Sequence, residues 1–155
     1  MAVEFEFISP DDKPALLALS TPEWLAKCRS ALTELDYKAH VASNQEDFLA
    51  RLNRTRYQVV FIEEDFAVHS PAENHALVRL RTLSMSQRRY VVTFLVGDRF
   101  QTLNPMQAFH LSVQAVVNRT EIDKLKPIIQ QVVAEQDLFL SVFRDAQLQI
   151  SAWGK

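Results

Sequence analysis

Several short apolar runs in this sequence do not alternate with polar residues, and they constrain the fold more than anything else. Tyr57-Gln58-Val59-Val60-Phe61-Ile62 leads through four β-branched or aromatic residues straight into Glu63-Glu64-Asp65. Tyr90 to Val96 and Val113 to Val117 have the same character, the second interrupted only by Gln114. A strand wet on one face alternates in polarity, whereas a strand buried on both faces reads as a continuous run. Runs of this kind belong inside a parallel sheet with helices on both sides.

The intervening segments supply those helices. Ala15-Leu16-Leu17-Ala18-Leu19 is a compact first strand, followed by the helix-start signal Ser20-Thr21-Pro22-Glu23. Trp24, Leu25, Cys28, Ala31, Leu32 and Leu35 then recur at helical spacing. Tyr37 to Ala42 reads as a second strand, and Ser43-Asn44-Gln45-Glu46 caps a helix with Phe48, Leu49 and Leu52 inward. Ser70-Pro71-Ala72-Glu73 has the capping-box spacing for a third helix, with Ala76, Leu77, Leu80, Leu83 and Met85 as its stripe. Asn104-Pro105 opens a fourth, and Thr120 to Asp123 caps a long last helix. That helix keeps an apolar pattern through Ile128, Ile129, Val132 and Val133 and on to Leu138, Phe139, Val142, Phe143, Ala146 and Ile150. Before the first strand, Val3 to Phe7 alternates as an extra strand or linker would, and Ser9 to Pro14 is a turn.

Strands and helices alternating five times argue for right-handed crossovers and a doubly wound α/β sheet. At this size the expected architecture is the flavodoxin-like five-stranded parallel sheet of order 2-1-3-4-5. The expected division is an N-terminal extra strand or linker over 1–13, the α/β domain over 14–135, and a C-terminal helical extension over 136–155.

Composition narrows the function classes. Glycine occurs only at Gly97 and Gly154. Phosphate-cradling loops need several glycines so that backbone N–H groups can approach the anion, so neither a Walker loop nor a dinucleotide fingerprint can form. Cys28 is the sole cysteine, which removes internal disulfides and cysteine metal clusters and fits a reducing cytoplasm. On an apolar helix face, Cys28 reads as a buried inert thiol. A net charge of -2 gives no whole-chain attraction to nucleic acid or an anionic membrane. No apolar run approaches the roughly 18–20 residues of a membrane span. His40, His69, His75 and His110 are dispersed without ligand spacing, and the arginines from Arg51 to Arg56 and Arg79 to Arg89 read as solvated faces.

In open α/β sheets, sites lie beyond the carboxyl ends of the strands, where Glu63, Glu64 and Asp65 stand. From about Pro14 to Ala134, the element order and strand endings resemble the receiver domains of bacterial response regulators. The resemblance implies a phosphoacceptor aspartate at the end of the third strand, and that position here is Glu63. It also implies an acidic pair for Mg²⁺ after the first strand, where Ser20 and Thr21 stand. The hydroxyl residue that ends the fourth strand is replaced by Val96, and the lysine that ends the fifth gives way to Asn118-Arg119-Thr120. Phosphoryl transfer needs acceptor, metal and product-binding groups together. A glutamate also displaces the acceptor by one methylene, enough to matter at near-attack distances.

The expectation is therefore a degenerate pseudo-receiver, not an enzyme, without metal or cofactor. The acidic triplet itself reads as a solvated strand end. A sharper alternative makes Glu63 a fixed stand-in for phosphoaspartate, with Arg119 as its cationic partner. Function is expected in protein–protein interaction, as a homodimer through Leu138, Phe139, Val142 and Phe143 on the last helix. The alternatives are a regulatory domain that takes a small molecule in the strand-end crevice, or weak phosphoryl acceptance at Glu63 or Asp65.

Overall fold

A computed structural model of the chain describes residues 8–66 and 74–153. Strands β1 (Lys13–Ala18), β2 (Tyr37–Val41), β3 (Val59–Glu63), β4 (Val92–Gly97) and β5 (Ala115–Asn118) alternate with helices. The helices are α1 (Pro22–Glu34), α2 (Gln45–Arg54), α3 (His75–Arg81), α4 (Met85–Arg88), α5 (Pro105–Leu111) and α6 (Leu125–Trp153). A 3₁₀ helix over Arg119–Lys124 leads into α6. The strands form one parallel sheet of order β2-β1-β3-β4-β5, the order expected from the sequence. Val3 to Phe7, read as an extra strand, lies outside the described residues.

Parity along the strands sorts the core into two halves. Ala15, Leu17, Val59, Phe61, Phe94, Val96 and Val117 face α1 and α6, where Leu32, Ile129 and Val132 meet them. Leu16, Val60, Ile62, Leu95 and Val116 face the other way, onto Phe48 of α2, Leu77 and Leu80 of α3, and Ala108 of α5. The register sets Phe61 beside Phe94, and their rings stack 4.5 Å apart. Burying one such side chain stabilises the fold by about 1.5–3 kcal/mol.

Helix starts follow their cap chemistry. The Asn44 side chain accepts from the Asp47 amide, and the Asn104 side chain accepts from the Met106 and Gln107 amides. Pro22 and Pro105 occupy first turns, where a missing N–H costs nothing. The start expected at Ser70 to Glu73 lies outside the described residues; the described helix begins at His75, capped by Asn74. Met85 does not extend the α3 stripe. That helix ends at Arg81 with Thr82 as its C-cap, and Met85 opens the separate helix α4 with its side chain exposed.

Helix α6 has 29 residues, about 43 Å at 1.5 Å per residue. Leu125, Ile128, Ile129 and Val132 bury against the sheet and α1. Contact does not stop at Glu135. Gln136 Nε2 donates to the Arg89 carbonyl at 2.8 Å, Leu140 is buried, and the Arg89 guanidinium lies 4.2 Å from the centre of the Phe143 ring. Phe139, before Leu140, is already 61% exposed, and past Phe143 the helix is exposed as far as Trp153 at 82%. The residues Leu125, Ile129, Val132, Gln136, Phe139, Phe143, Ala146, Ile150 and Trp153 keep an alternating four-three spacing throughout. This is the spacing of a coiled-coil seam.

Candidate functional site

Parallel strands bring their carboxyl ends to one edge of the sheet. β3 lies between β1 and β4, so Glu63 sits between the β1–α1 loop and Gly97. Its side chain reaches back across that loop. The Ser20 amide donates to Glu63 Oε2 at 3.1 Å, and the Thr21 hydroxyl donates to Oε1 at 2.6 Å. Thr21 is the N-cap residue of α1, yet its hydroxyl caps no helical amide; that donor is committed to Glu63. Both bonds are charge-assisted, and the positive end of the α1 dipole adds to them.

The expected solvated strand end is therefore wrong for two of the three carboxylates. Glu63 is 3% and Glu64 9% exposed, and only Asp65 points to solvent. Successive side chains leave an extended strand in opposite directions. One carboxylate goes to the α1 side, and the next goes under the β4–α5 loop. There Glu64 pairs with Arg99, while its amide donates to the Val96 carbonyl at 3.0 Å. Gly97 makes that packing possible. A Cβ at this position would stand 2.8 Å from Glu64 Oε2 and 2.9 Å from the Phe100 ring.

Arg119 is not the partner of Glu63. It sits two strands away at the end of β5, where its Nε forms an ion pair with Asp98 Oδ1 at 2.6 Å. Asp98 lies nearer, just past the end of β4, and both members of the pair are largely solvated. Val96 is fully buried in the core facing α1. Cys28 is buried on the same side, and its thiol is pushed up to about 12, first by burial and then by the charge of Glu63.

Asn74, not singled out in the sequence analysis, and Gln45, read only as part of a helix start, hold the site in shape. Asn74 is completely buried, and its Nδ2 donates to the carbonyls of Glu63 at 3.1 Å and Glu64 at 3.0 Å. Its Oδ1 accepts from the Leu77 amide and from Gln45 Nε2, both at 3.1 Å. Gln45 also donates to the Phe66 carbonyl at 2.7 Å and accepts from the Ala76 amide at 2.7 Å. These two amides tie the end of β3 to the starts of α2 and α3. An asparagine ahead of an apolar helix signals a cap, but nothing local signals a bond to Gln45, 29 residues away.

The arrangement has the polarity of an anion holder filled by the protein's own carboxylate. At the β1–α1 turn the groups facing Glu63 are donors, which repel a cation. Among the described residues, no three His, Cys, Asp or Glu side chains converge on one point.

No protein-family model matches this sequence, and no curated protein matches it either. Solved structures do. The receiver domain of the sensor histidine kinase PA1611 from Pseudomonas aeruginosa superposes with a TM-score of 0.60 at 14% identity, covering 79% of this chain and 98% of that one. The chemotaxis response regulator CheY4 of Vibrio cholerae gives 0.62 at 12% identity, covering 78% and 98%. A CheY-like receiver domain from Methylobacillus flagellatus gives 0.58 at 19% identity, again covering 78% and 98%. The fold is that of the response-regulator receiver domains. The PA1611 domain carries a magnesium ion coordinated in its active-site cleft, whereas the β1–α1 turn described here presents an amide and a hydroxyl to Glu63.

Proposed function

We propose that this chain is a non-catalytic receiver-fold module that works by protein–protein interaction in bacterial signalling, with α6 as its contact surface and a second copy as its partner. The observation that carries the reading is the outer half of α6. Past Leu140 the helix continues to Trp153, with Val142, Ile150 and Trp153 in water and Phe139 exposed alongside. A seam with four-three spacing is self-complementary, so two copies related by a two-fold axis cover each other's apolar residues. Glu63 supports the non-catalytic half of the proposal. Its carboxylate oxygens already accept two donors, and a glutamate in place of aspartate moves any acceptor oxygen by a methylene.

Light scattering tests the contact. The full chain is expected at twice 17.8 kDa, and F139K/I150K at 17.8 kDa with an unchanged far-UV circular dichroism spectrum and a melting temperature no longer dependent on concentration, because both side chains are exposed on the protomer. A wild-type monomer up to about 100 μM, a concentration at which stable dimers form, removes the self-association reading. Intact mass after incubation with acetyl phosphate and Mg²⁺ tests the other half. No adduct is expected, and a phosphate adduct on Glu63 or Asp65 overturns it.

A further inference from the structure

We infer that the cleft beneath α6, at the amino-terminal ends of β3 and β4, binds a small flat-ringed anion: an aromatic carboxylate or phosphate. It lies at the opposite edge of the sheet from Glu63, and of the α6 seam residues its lining includes Gln136. The cleft holds about 430 Å³, within the roughly 300–1,000 Å³ range of small-molecule sites. Its floor is the starts of the strands at Val59 and Val92, and its roof is α6 at Val133, Leu140 and Arg144.

The lining has the chemistry for such a ligand. Arg56, between α2 and β3, and Arg144 of α6 both line it; Arg144 Nε donates to the Leu140 carbonyl at 3.3 Å, and neither guanidinium forms an ion pair among the described residues. Asp137 is the one carboxylate in the lining, so the cleft is a locally cationic hollow in a chain of net charge -2. Burial, and then the charge of Asp137, push the Tyr37 phenol up, so its hydroxyl stays protonated and able to donate. A guanidinium matches the planar two-oxygen edge of a carboxylate or phosphate. The half-exposed Tyr90 ring and the valines offer faces for a flat ring, and the amides of Gln58 and Gln87 can bond its polar edge.

Protein-observed NMR on the full chain tests this with two anions, 1-naphthoate and adenosine monophosphate. Their uncharged counterparts, 1-naphthalenemethanol and adenosine, serve as controls. At least one anion is expected to shift the amides of Gln58, Tyr90 and Gln136 saturably below about 1 mM, the weak end of specific binding. Which anion does so separates a carboxylate from a phosphate ligand. The double variant R56Q/R144Q is expected to weaken that anion by about tenfold or more while leaving the uncharged counterpart unchanged. Both arginines are exposed, and an unaltered melting temperature shows that the variant is folded. Saturation by neither anion, shifts centred elsewhere, or equal affinity in the double variant overturns the inference.

Discussion

Replacing Glu63 with aspartate installs the residue that receivers carry there, and the geometry says that this weakens the protein. Aspartate is shorter by one carbon–carbon bond, about 1.5 Å. The donors now at 2.6 and 3.1 Å from the carboxylate then fall outside hydrogen-bonding range. A hydrogen bond to a charged group contributes about 1.5–3 kcal/mol. With partial recovery by entering water, Glu63→Asp should cost about 2–4 kcal/mol. Glu63→Gln keeps the length. Its oxygen can accept from the Ser20 amide while its NH₂ donates to the Thr21 hydroxyl, so the cost should be about 1 kcal/mol. Urea unfolding at pH 7 gives the order wild type, then Gln, then Asp, with unchanged m-values. At about 2–4 °C per kcal/mol for a chain of this size, Glu63→Asp lowers the melting temperature by about 4–16 °C. In a double-mutant cycle, Thr21→Val should remove much of the Glu63→Asp penalty. An aspartate variant as stable as wild type, or a glutamine variant worse than the aspartate one, would falsify the account of Glu63 as a carboxylate held by its two donors.

Four further outcomes follow from the same contacts. Asn74→Ala should cost about 2–3 kcal/mol by chemical denaturation, because it removes a helix cap and the side-chain donor to the Glu64 carbonyl, and leaves the Glu63 carbonyl with the Phe66 amide alone. Gly97→Ala should cost about 1–3 kcal/mol, since the new methyl meets the Glu64 carboxylate and the Phe100 ring; a neutral result would show that both can move aside. Cys28 should resist Ellman's reagent in the folded protein at pH 8 and react at once in urea. Its raised folded pKa makes its contribution to stability complete below about 8.5, the unfolded value; that contribution declines as the pH climbs from there toward 12. Arg119→Gln should change stability by less than about 0.5 kcal/mol and add independently to Glu63→Gln. Any coupling above that size would revive a link between the two residues.

The fold was legible because local signals agreed with the global answer. Unalternated runs such as Val59 to Ile62 marked strands buried on both faces, and Asn44, Pro22 and Asn104-Pro105 marked helix starts. The acidic triplet was misread because its local chemistry is that of a wet strand end. The groups that bury Glu63 lie 42 and 43 residues earlier, and only the β1–β3 pairing brings them close. Arg119 illustrates the converse. It lies at the correct edge of the sheet, but Asp98 at the end of the adjacent strand reaches it first. Asn74 and Gln45 were invisible for a similar reason, since two ordinary amides acquire a role only when α2 and α3 start side by side. Met85 falls off the α3 stripe because the helical phase does not continue across Thr82 to Ser84, where α3 ends and α4 begins.

Helix α6 is unbroken from Leu125 to Trp153, so its outer end has no independent orientation. Each residue turns a helix by about 100°. The bearing of Ile150 and Trp153 around the axis is therefore dictated by how Ile129 and Val132 seat on the sheet. With four-three spacing the drift is about 20° per seven residues, about 60° over the three heptads from Ile129 to Ile150, so the exposed stripe stays within a quarter turn of the buried one. A helix packed on that stripe would lie below the amino-terminal edge of the sheet, in line with the domain rather than beside it. One residue inserted near Gln136 would swing the stripe by about a quarter of a turn, whereas seven would return it to nearly the same bearing. In that sense α6 is a shaft whose phase is keyed to the sheet, and a small rotation where Ile129 and Val132 grip would reappear undiminished at Trp153.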